Sequence, residues 1–525
     1  MVLINDIYAK DKQELFTNRK KELALIELTI DDFLKKGIRK HLAFLGLRRI
    51  GKSLVLFEYI KRNKKNIVIS HIDLKKTSME PQFFVAEYIK KILQWALDEK
   101  DEDILILANK LNNEDIFNQL NNFLRDLKER DNLKLVNFAF SFPEVISKAL
   151  NKKIVVCIDE FQEILGMNKY KGIDSIMNIF RTALQSQSNT LYFLTGSVIT
   201  TMEKICLEDK SALFLHFGRI INLNNFTKED SFELIRKIFK REGIETPPEG
   251  ILLQILKLSQ GHVFYLTILS EKIIELKKLF GLAINESLVK KAFLIELTDK
   301  NARLYNYFNY IFENSLERAR GKASLKSILL KVAERERVTV SELCSDLNKE
   351  SGEMQTLLKR LMETDLIIKK ERYYFYRDGL LRKWVRTFYL GSDIDTNTSI
   401  KNMEELLSQL EEKYLRASTE LGKAKEYEWK TKLEDKFSIK LDNYNKEGIE
   451  FDLVGKKNDI FFIFEIKHRN KLTNYQDIKG FFDKIDKSEF KDKKKKLFFV
   501  SKSGFTEEAK KQIQKNKIEI IQEPD

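Results

Sequence analysis

The chain has 525 residues, 43% hydrophobic and 33% charged, which is enough for about three or four domains of ~150 residues and excludes a wholly disordered protein. Its 93 Lys and Arg residues outnumber its 79 Asp and Glu residues, and the net charge of +14 favours an anionic partner such as nucleic acid. The cysteines and histidines lack the spacing of a zinc site or a disulfide framework. We also see no signal peptide and no apolar run near the ~20 residues of a membrane span, so we expect a cytoplasmic protein without membrane contact.

Short apolar runs alternate with helical periodicity from about residue 15 to residue 225. The runs lie at 42–45, 67–72, 154–158 and 191–194. Such runs, separated by helices, are typical of a parallel sheet with helices on both faces. We therefore predict an α/β core over residues 1–225 and, from the mainly helical pattern that follows, a helical region over 226–305.

The segment after the first predicted strand fits the phosphate-loop pattern of Gly, four residues, and Gly-Lys-Ser/Thr. It consists of Gly46, Leu47, Arg48, Arg49, Ile50, Gly51, Lys52 and Ser53, and it is followed by Leu54 in a predicted helix. The glycines let the backbone wrap around phosphates, while loop amides and the helix N-terminus face the anion. Lys52 is expected to contact the β/γ-phosphates and Ser53 to ligate Mg²⁺, so the loop predicts binding of ATP with Mg²⁺.

Two further strand ends are candidates for the same site. The strand 154–158 leads into Asp159, predicted to hold Mg²⁺ through water, and Glu160, predicted to polarise the attacking water. The next strand ends in Thr195-Gly196-Ser197, where a hydroxyl can contact the γ-phosphate or that water. Polar strand ends also begin ordinary surface loops, but their position behind a phosphate loop favours a P-loop ATPase.

Residues from about 14 to 300 resemble the archaeal ATPase family of P-loop proteins, of the AAA+/STAND type. The resemblance is carried by Phe16 to Leu23 before the first helix, by Phe214 to Arg219, by Asn225 to Asp230 and, in part, by Ser259 to Leu266, where Val263 replaces the usual proline. It implies a helical lid over the nucleotide. It also implies that Arg219 lies near the nucleotide and stabilises charge, and such arginines are often supplied by a neighbouring subunit.

Residues 306–390 predict a winged helix-turn-helix, because three helical patterns precede two short strands. The recognition helix is predicted at 352–364 and carries Lys359 and Arg360. The predicted wing carries Lys369, Lys370, Arg372 and Arg377, interleaved with Tyr373, Tyr374 and Tyr376. These basic groups can neutralise DNA phosphates, although a winged helix with its tyrosines packed inside can also serve protein contacts alone. The closing segment, Arg377 to Trp384, is interpreted as structural.

A third constellation follows the predicted linker and helix at 391–419. Asp452 lies on one predicted strand, and Glu465 and Lys467 share a face of the next, so a hairpin brings them together. Two carboxylates and a lysine suit hydrolysis of phosphodiesters with Mg²⁺, or Mn²⁺, as the bound ion. An inert fold or a plainly solvated strand end is the alternative.

Residues 420–525 resemble the PD-(D/E)XK nuclease core, a restriction-endonuclease-like αβ fold. The motif is Asp452 followed by Glu465-Ile466-Lys467, with Phe451 in place of the usual proline. The resemblance implies that Glu426, or else Glu428, is the helix acid, and that Asp452 and Glu465 are metal ligands. The helix after the motif, with Lys479 and Lys484, is where such folds contact the DNA backbone.

The motifs together predict an ATP-binding and ATP-hydrolysing protein that acts on DNA and controls a metal-dependent nuclease domain. Two alternatives remain: an ATP-switched DNA-binding regulator, and a STAND-like assembly switch with protein partners or further copies of itself, each with an inactive nuclease fold.

Overall fold

The chain folds into two units, Met1–Glu404 and Glu405–Asp525. The computed structural model describes residues 2–127, 131–318, 322–390, 429–430, 432–434, 436–446, 449–467, 472–501, 504–515 and 518–522. The predicted linker at 391–419 and the candidate acids Glu426 and Glu428 lie outside these residues. No helix in the described part of the chain is long and apolar enough to cross a membrane.

A five-stranded parallel sheet forms the centre of the first unit, in the order β2-β3-β4-β1-β5. Its strands are β1 (His41–Leu45), β2 (Val68–Asp73), β3 (Ile154–Asp159), β4 (Thr190–Gly196) and β5 (Phe217–Asn222). The first four confirm the predicted strands. The fifth was not predicted, because it lies at the sheet edge, is mostly half-exposed and lacks a continuous apolar run.

Helices cover both faces of this sheet, as the buried strands predict. Along β3, Val155 and Cys157 enter one hydrophobic core, whereas Val156 and Ile158 enter the other. The helices before β5 are α1 (Val2–Ile7), α2 (Lys10–Leu15), α3 (Lys20–Lys36), α4 (Lys52–Arg62), α5 (Pro81–Leu97), α6 (Ile104–Lys110), α7 (Glu114–Asp126), α8 (Asn132–Leu150), α9 (Ile176–Ser186) and α10 (Ile199–Leu207).

The sheet is followed by helices and one small hairpin. The helices are α11 (Lys228–Arg241), α12 (Glu249–Ser259), α13 (Val263–Phe280), α14 (Glu286–Thr298), α15 (Arg303–Arg318), α16 (Lys322–Glu334), α17 (Val340–Leu347), α18 (Ser351–Glu363) and α19 (Gly379–Leu390). The hairpin pairs β6 (Ile367–Lys370) antiparallel to β7 (Tyr373–Tyr376), and Val338 bridges to Tyr374 beside it. The order of α16, α17, α18 and hairpin is the one that the sequence predicted.

The second unit contains a mixed five-stranded sheet. Its strands are β8 (Asp442–Lys446), β9 (Ile449–Lys457), β10 (Ile460–Lys467), β11 (Lys495–Ser501) and β12 (Glu519–Gln522), and its helices include α20 (Tyr475–Lys487) and α21 (Glu507–Lys515). Strands β8, β9 and β10 are antiparallel, whereas β10, β11 and β12 are parallel. Along β10, Phe464 and Ile466 enter one core and Ile463 enters the core that contains α20. The two-residue period therefore places Glu465 and Lys467 on the α20 side of the sheet.

Candidate functional site

The phosphate-loop segment connects the end of β1 to the start of α4. Gly51 has a φ of 103°, which a residue with a side chain rarely adopts. Gly46 is required for a different reason, since a Cβ atom there would lie 2.7 Å from the carbonyl oxygen of Leu223. Lys52 is buried and donates to the carbonyl oxygens of Gly46 (2.9 Å) and Leu47 (3.0 Å). Burial lowers the pKa of Lys52 to about 8, against the opposing effect of the carboxylates Glu160 and Asp159.

Asp159 is the centre of a buried polar cluster at the carboxyl end of the sheet. Its carboxylate accepts hydrogen bonds from the hydroxyls of Ser53 (2.5 Å) and Thr195, and Nε2 of His71 lies 3.8 Å away. Burial acts to raise the pKa of Asp159, but His71, Ser53 and Thr195 together hold it well below the usual range. The hydroxyl and carboxylate oxygens of Ser53 and Asp159 are donors of the kind that Mg²⁺ prefers, so this pair fits the ion.

Glu160 lies beside the same cluster, in a left-handed conformation with a φ of 55°. Its Oε2 atom accepts hydrogen bonds from the Ser197 hydroxyl (2.6 Å), the Ser197 amide (3.2 Å) and the Gln162 amide group (2.6 Å). The structure thus brings together Lys52, Ser53, Asp159, Glu160 and the strand end 195–197.

A cavity of about 480 Å³ opens beside the loop, between α4 and the helices that follow β5. Its walls combine apolar side chains with the charged groups of the loop, and the apolar ones include Phe16, Phe226, Val263 and Phe264. A volume of this size with apolar walls and a few polar groups is typical of small-molecule sites. The cavity therefore has the size and lining of a small-molecule site beside the loop.

Two arginines contact both the phosphate-loop segment and the elements that surround it. The sequence did not predict these contacts. Arg19 is buried, donates to the carbonyl oxygens of Ile50 (3.2 Å) and Asn224 (2.9 Å), and stacks on Phe226. The guanidinium of Arg49 lies 4.2 Å from the ring centre of Phe264 on α13. Arg19 belongs to a segment quoted for the family resemblance, and that was the available signal.

A chain of contacts leads from the loop to the segment after the hairpin. Nε2 of His262 contacts the carbonyl oxygen of Arg48 (3.2 Å), and the His262 ring stacks on Tyr265 at 4.1 Å. The Tyr265 hydroxyl donates to Asp378, which also accepts from the amides of Leu380 and Leu381 at the start of α19. Asp378 therefore connects α13 to α19, which is a structural role.

A second contact path begins at α10, which follows β4. Asp365 accepts hydrogen bonds from the Thr200 amide (3.1 Å) and hydroxyl and pairs with Arg377 at 3.1 Å, while Arg377 also donates to the Thr200 hydroxyl (2.9 Å). Arg377 was expected on the wing, facing DNA; the structure instead places it half-buried against α10, because Asp365 and Thr200 bind its guanidinium.

The tip of the hairpin keeps the basic character that was predicted. Lys369, Lys370 and Arg372 are exposed, and so is Lys359 on α18. Tyr374 and Tyr376 are buried, and Tyr376 donates to a backbone carbonyl of α16. Tyr374 and Tyr376 therefore pack inside this region, whereas Tyr373 is half-buried against Arg337 and Arg372.

The strand register places the backbone of Arg219 away from the loop. It lies on β5 opposite Leu42 near the start of β1, whereas Leu45, next to the loop, faces Asn222. Three residues of strand place Arg219 ~10 Å back from the carboxyl edge of the sheet. A role for Arg219 at this site is thus not supported by position, and the remaining prediction is that it serves a neighbouring subunit.

The carboxylates of the second unit meet where β9 and β10 separate. The ladder ends at the pair Leu453–Phe464, and beyond it Asp452 accepts the amide hydrogen of Ile466 (2.6 Å). Glu465 is buried and accepts from Lys467 at 2.7 Å. Burial acts to lower the pKa of Lys467, but Glu465, with Asp452 and Asp477, raises it above its ordinary value.

Lys484 adds a contact that the motif did not predict. It extends from α20 and donates to both carboxylate oxygens of Glu465, at 2.9 and 3.1 Å. The sequence suggested contact with the DNA backbone for this residue, but in this structure its ammonium group is bound to Glu465. No cluster of three or more His, Cys, Asp or Glu side chains placed to hold a metal occurs among the described residues, which exclude Glu426.

No protein-family model matches the sequence, and no curated protein matches it. Among solved structures, a Walker-type ATPase of Pyrococcus abyssi is similar at a TM-score of 0.52 and 18% identity, over 72% of this chain and 97% of that one. The ORC2 protein of Aeropyrum pernix is similar at a TM-score of 0.47 and 12% identity, over 72% of this chain and 97% of that one. The RuvB Holliday junction branch migration motor of Thermotoga maritima is similar at a TM-score of 0.36 and 14% identity, over 72% of this chain and 96% of that one. The last two are too distant to add an argument. The first similarity, with the parallel sheet, shows that this chain contains an α/β fold of the P-loop NTPase type.

Proposed function

We propose that this protein binds and hydrolyses ATP with Mg²⁺, acts on DNA, and uses its nucleotide state to control a metal-dependent phosphodiesterase in its second unit. The observation that carries the ATPase part is the meeting of Lys52, Ser53, Asp159 and Glu160 beside a cavity of about 480 Å³. The nuclease part rests on Asp452, Glu465 and Lys467.

In the ATPase site, Lys52 leaves the loop carbonyls and binds the β/γ-phosphates, which supply a stronger acceptor than two neutral oxygens. Ser53 and Asp159 hold Mg²⁺, which neutralises phosphate charge when bound. Glu160 orients the attacking water, and Thr195 or Ser197 senses the γ-phosphate from the end of β4. The base lies between Phe16, Phe226 and the start of α13.

The two contact paths supply a route by which nucleotide state can reach the hairpin. One path connects Arg48 to Asp378 through His262 and Tyr265, and the other connects α10 to Arg377. Because these endpoints are adjacent in sequence and follow β7 directly, a shift of either the loop or α10 is transmitted to the base of the hairpin. We propose that the region from α16 to β7 is a winged helix whose exposed cations, Lys369, Lys370 and Arg372, bind DNA phosphates.

In the second unit, Asp452 and Glu465 provide carboxylate oxygens suited to Mg²⁺ or Mn²⁺, and Glu426 is the candidate third acid. A divalent ion held by these carboxylates would supply a water molecule of lowered pKa as the nucleophile. Lys467 orients that water or stabilises the charge that develops on the phosphate. The close approach of Lys467 to Glu465 supports this assignment over a solvated strand end.

The test is cleavage of supercoiled, linear and single-stranded DNA with Mg²⁺ or Mn²⁺, with and without ATP. Lys467→Ala should abolish cleavage, and Lys52→Ala should abolish ATP hydrolysis and remove the effect of ATP on cleavage. Lys487→Ala, an exposed lysine of α20, is the matched control and should behave as wild type. Cleavage that survives Lys467→Ala would refute the nuclease site, and equal cleavage with and without a working loop would refute the control by ATP.

A second candidate is an ATP-switched DNA-binding regulator with an inert second unit. The observation in its favour is that lysine ammonium groups already occupy both oxygens of Glu465. It predicts salt-sensitive DNA binding that is weakened by changes at Lys369 or Arg372, with no cleavage of any substrate under the conditions above.

A further inference from the structure

Glu465 has more positive partners than its burial requires. The residue is 3% exposed, and a buried carboxylate needs compensation, which Lys467 on the same strand already provides at 2.7 Å. Lys484 adds a second ammonium group from α20 and bridges both oxygens of the carboxylate. One carboxylate thus binds two cations.

The ammonium group of Lys484 lies where a divalent ion bound to Glu465 would lie. A divalent ion that binds Glu465 must use one of the two oxygens, and Lys484 contacts both of them. The side chain of Lys484 is 38% exposed, so it can leave Glu465 for solvent without unfolding its helix. The contact is therefore replaceable, because the Lys484 end has access to solvent and Lys467 still compensates the buried carboxylate after Lys484 leaves.

We propose that Lys484 is a positioning residue that occupies Glu465 in the metal-free site and gives it up when a divalent cation binds. This inference rests on the metal site of the proposed function. Lys484 keeps the buried carboxylate oriented in the absence of metal and lowers the affinity for the ion by direct competition.

The competition has a predictable sign and size. Because the ion must displace Lys484, its affinity falls by the free energy of that contact, and breaking an ion pair with one solvent-accessible partner lowers the affinity about fivefold. Replacing Lys484 by Met, which keeps the length of the side chain and removes the charge, should therefore tighten Mn²⁺ binding about fivefold. Lys484→Arg should keep the weaker, wild-type affinity, because it retains the cation.

The experiment measures Mn²⁺ binding to the full chain without nucleotide, by electron paramagnetic resonance of the free ion. Asp452→Asn identifies the signal that belongs to this site, and Lys487→Met controls for the loss of one positive charge elsewhere on α20. Lys484→Gln provides a second neutral variant in case the methionine variant does not fold. Thermal unfolding of each variant, with and without Mn²⁺, gives an independent readout.

Tighter binding in Lys484→Met or Lys484→Gln, wild-type affinity in Lys484→Arg and no change in Lys487→Met would support the inference. If wild type binds Mn²⁺ in a manner that depends on Asp452 and neutral variants bind it equally or less tightly, Lys484 is a structural partner and the inference is wrong. If neither wild type nor the neutral variants bind Mn²⁺ at this site, the proposed metal site fails and the inference fails with it.

Discussion

Tyr265→Phe is the most direct perturbation of the path between the loop and α19. The change removes one hydroxyl and keeps the ring that stacks on His262. Asp378 is left with the amides of Leu380 and Leu381 as donors and loses the tyrosine hydroxyl. A hydrogen bond to a charged group contributes about 1.5–3 kcal/mol, so we expect a loss of about 2 kcal/mol in the free energy of unfolding of the first unit.

A double-mutant cycle with Asp378→Asn separates this contact from other effects of the two substitutions. Asparagine can still accept from the two amides, and it removes the buried charge that Tyr265→Phe would leave undercompensated. The double variant should therefore be less destabilised than the sum of the single variants, by about 1–2 kcal/mol. Urea unfolding of the full chain measures this, followed by hydrogen exchange of α13 and α19 to locate the change.

Tyr310→Phe is the matched control, because Tyr310 on α15 is 49% exposed. It should change the free energy of unfolding by less than about 0.5 kcal/mol. A coupling energy below about 0.3 kcal/mol between Tyr265 and Asp378 would refute the reasoning, since the two groups would then act independently.

Two further predictions concern the first unit. Arg219→Ala should leave ATP binding unchanged and reduce ATP hydrolysis only where copies of the chain assemble. Hydrolysis measured across a range of protein concentrations should therefore show a deficit that grows with assembly. A variant that hydrolyses ATP at the wild-type rate when assembled would exclude a role of Arg219 in a neighbouring subunit. Burial lowers the pKa of His262 to about 3, so between pH 6.5 and 3 the unfolded chain binds a proton that the folded chain does not, and stability falls as the pH falls through this window. His262→Gln should remove about 1 kcal/mol of the loss between pH 7 and pH 5.5, measured by urea unfolding at both values.

The sequence was sufficient for the parts of the fold that depend on local pattern. Four strands, the phosphate loop and the order of helices before the hairpin follow from apolar runs, glycine positions and helical spacing. Strand β5 was not predicted, because an edge strand with half-exposed residues has no continuous apolar run. Its register also decides the position of Arg219, which no motif could reveal, since one or two residues of offset along a strand move a side chain by several ångströms.

Most of the site contacts that the sequence did not predict join segments that are distant along the chain. His71 reaches Asp159 because β2 and β3 are neighbours, with Asp73 opposite Asp159, and nothing in its own segment marks it. Lys484 reaches Glu465 because α20 packs on the same face of the sheet as that carboxylate. Chemistry-bearing residues on strand ends were identifiable by type and spacing, whereas those that come from a packed neighbour required the tertiary structure.

The contact between α10 and the segments that flank the hairpin consists of the ion pair Asp365–Arg377 and the Thr200 hydroxyl. Apolar packing at this position would stabilise the fold equally well. Burial raises the pKa of Asp365, although Arg377 and the Thr200 hydroxyl act to lower it, so the pair is costly to desolvate. Buried ion pairs add little net stability over hydrophobic contacts, but they fail sharply when one partner moves, because an uncompensated charge is left behind. Loss of Arg377 would therefore leave the buried Asp365 carboxylate undercompensated. Since α10 begins three residues after Gly196 at the end of β4, this ion pair connects the segment after the hairpin to the helix that follows the candidate site.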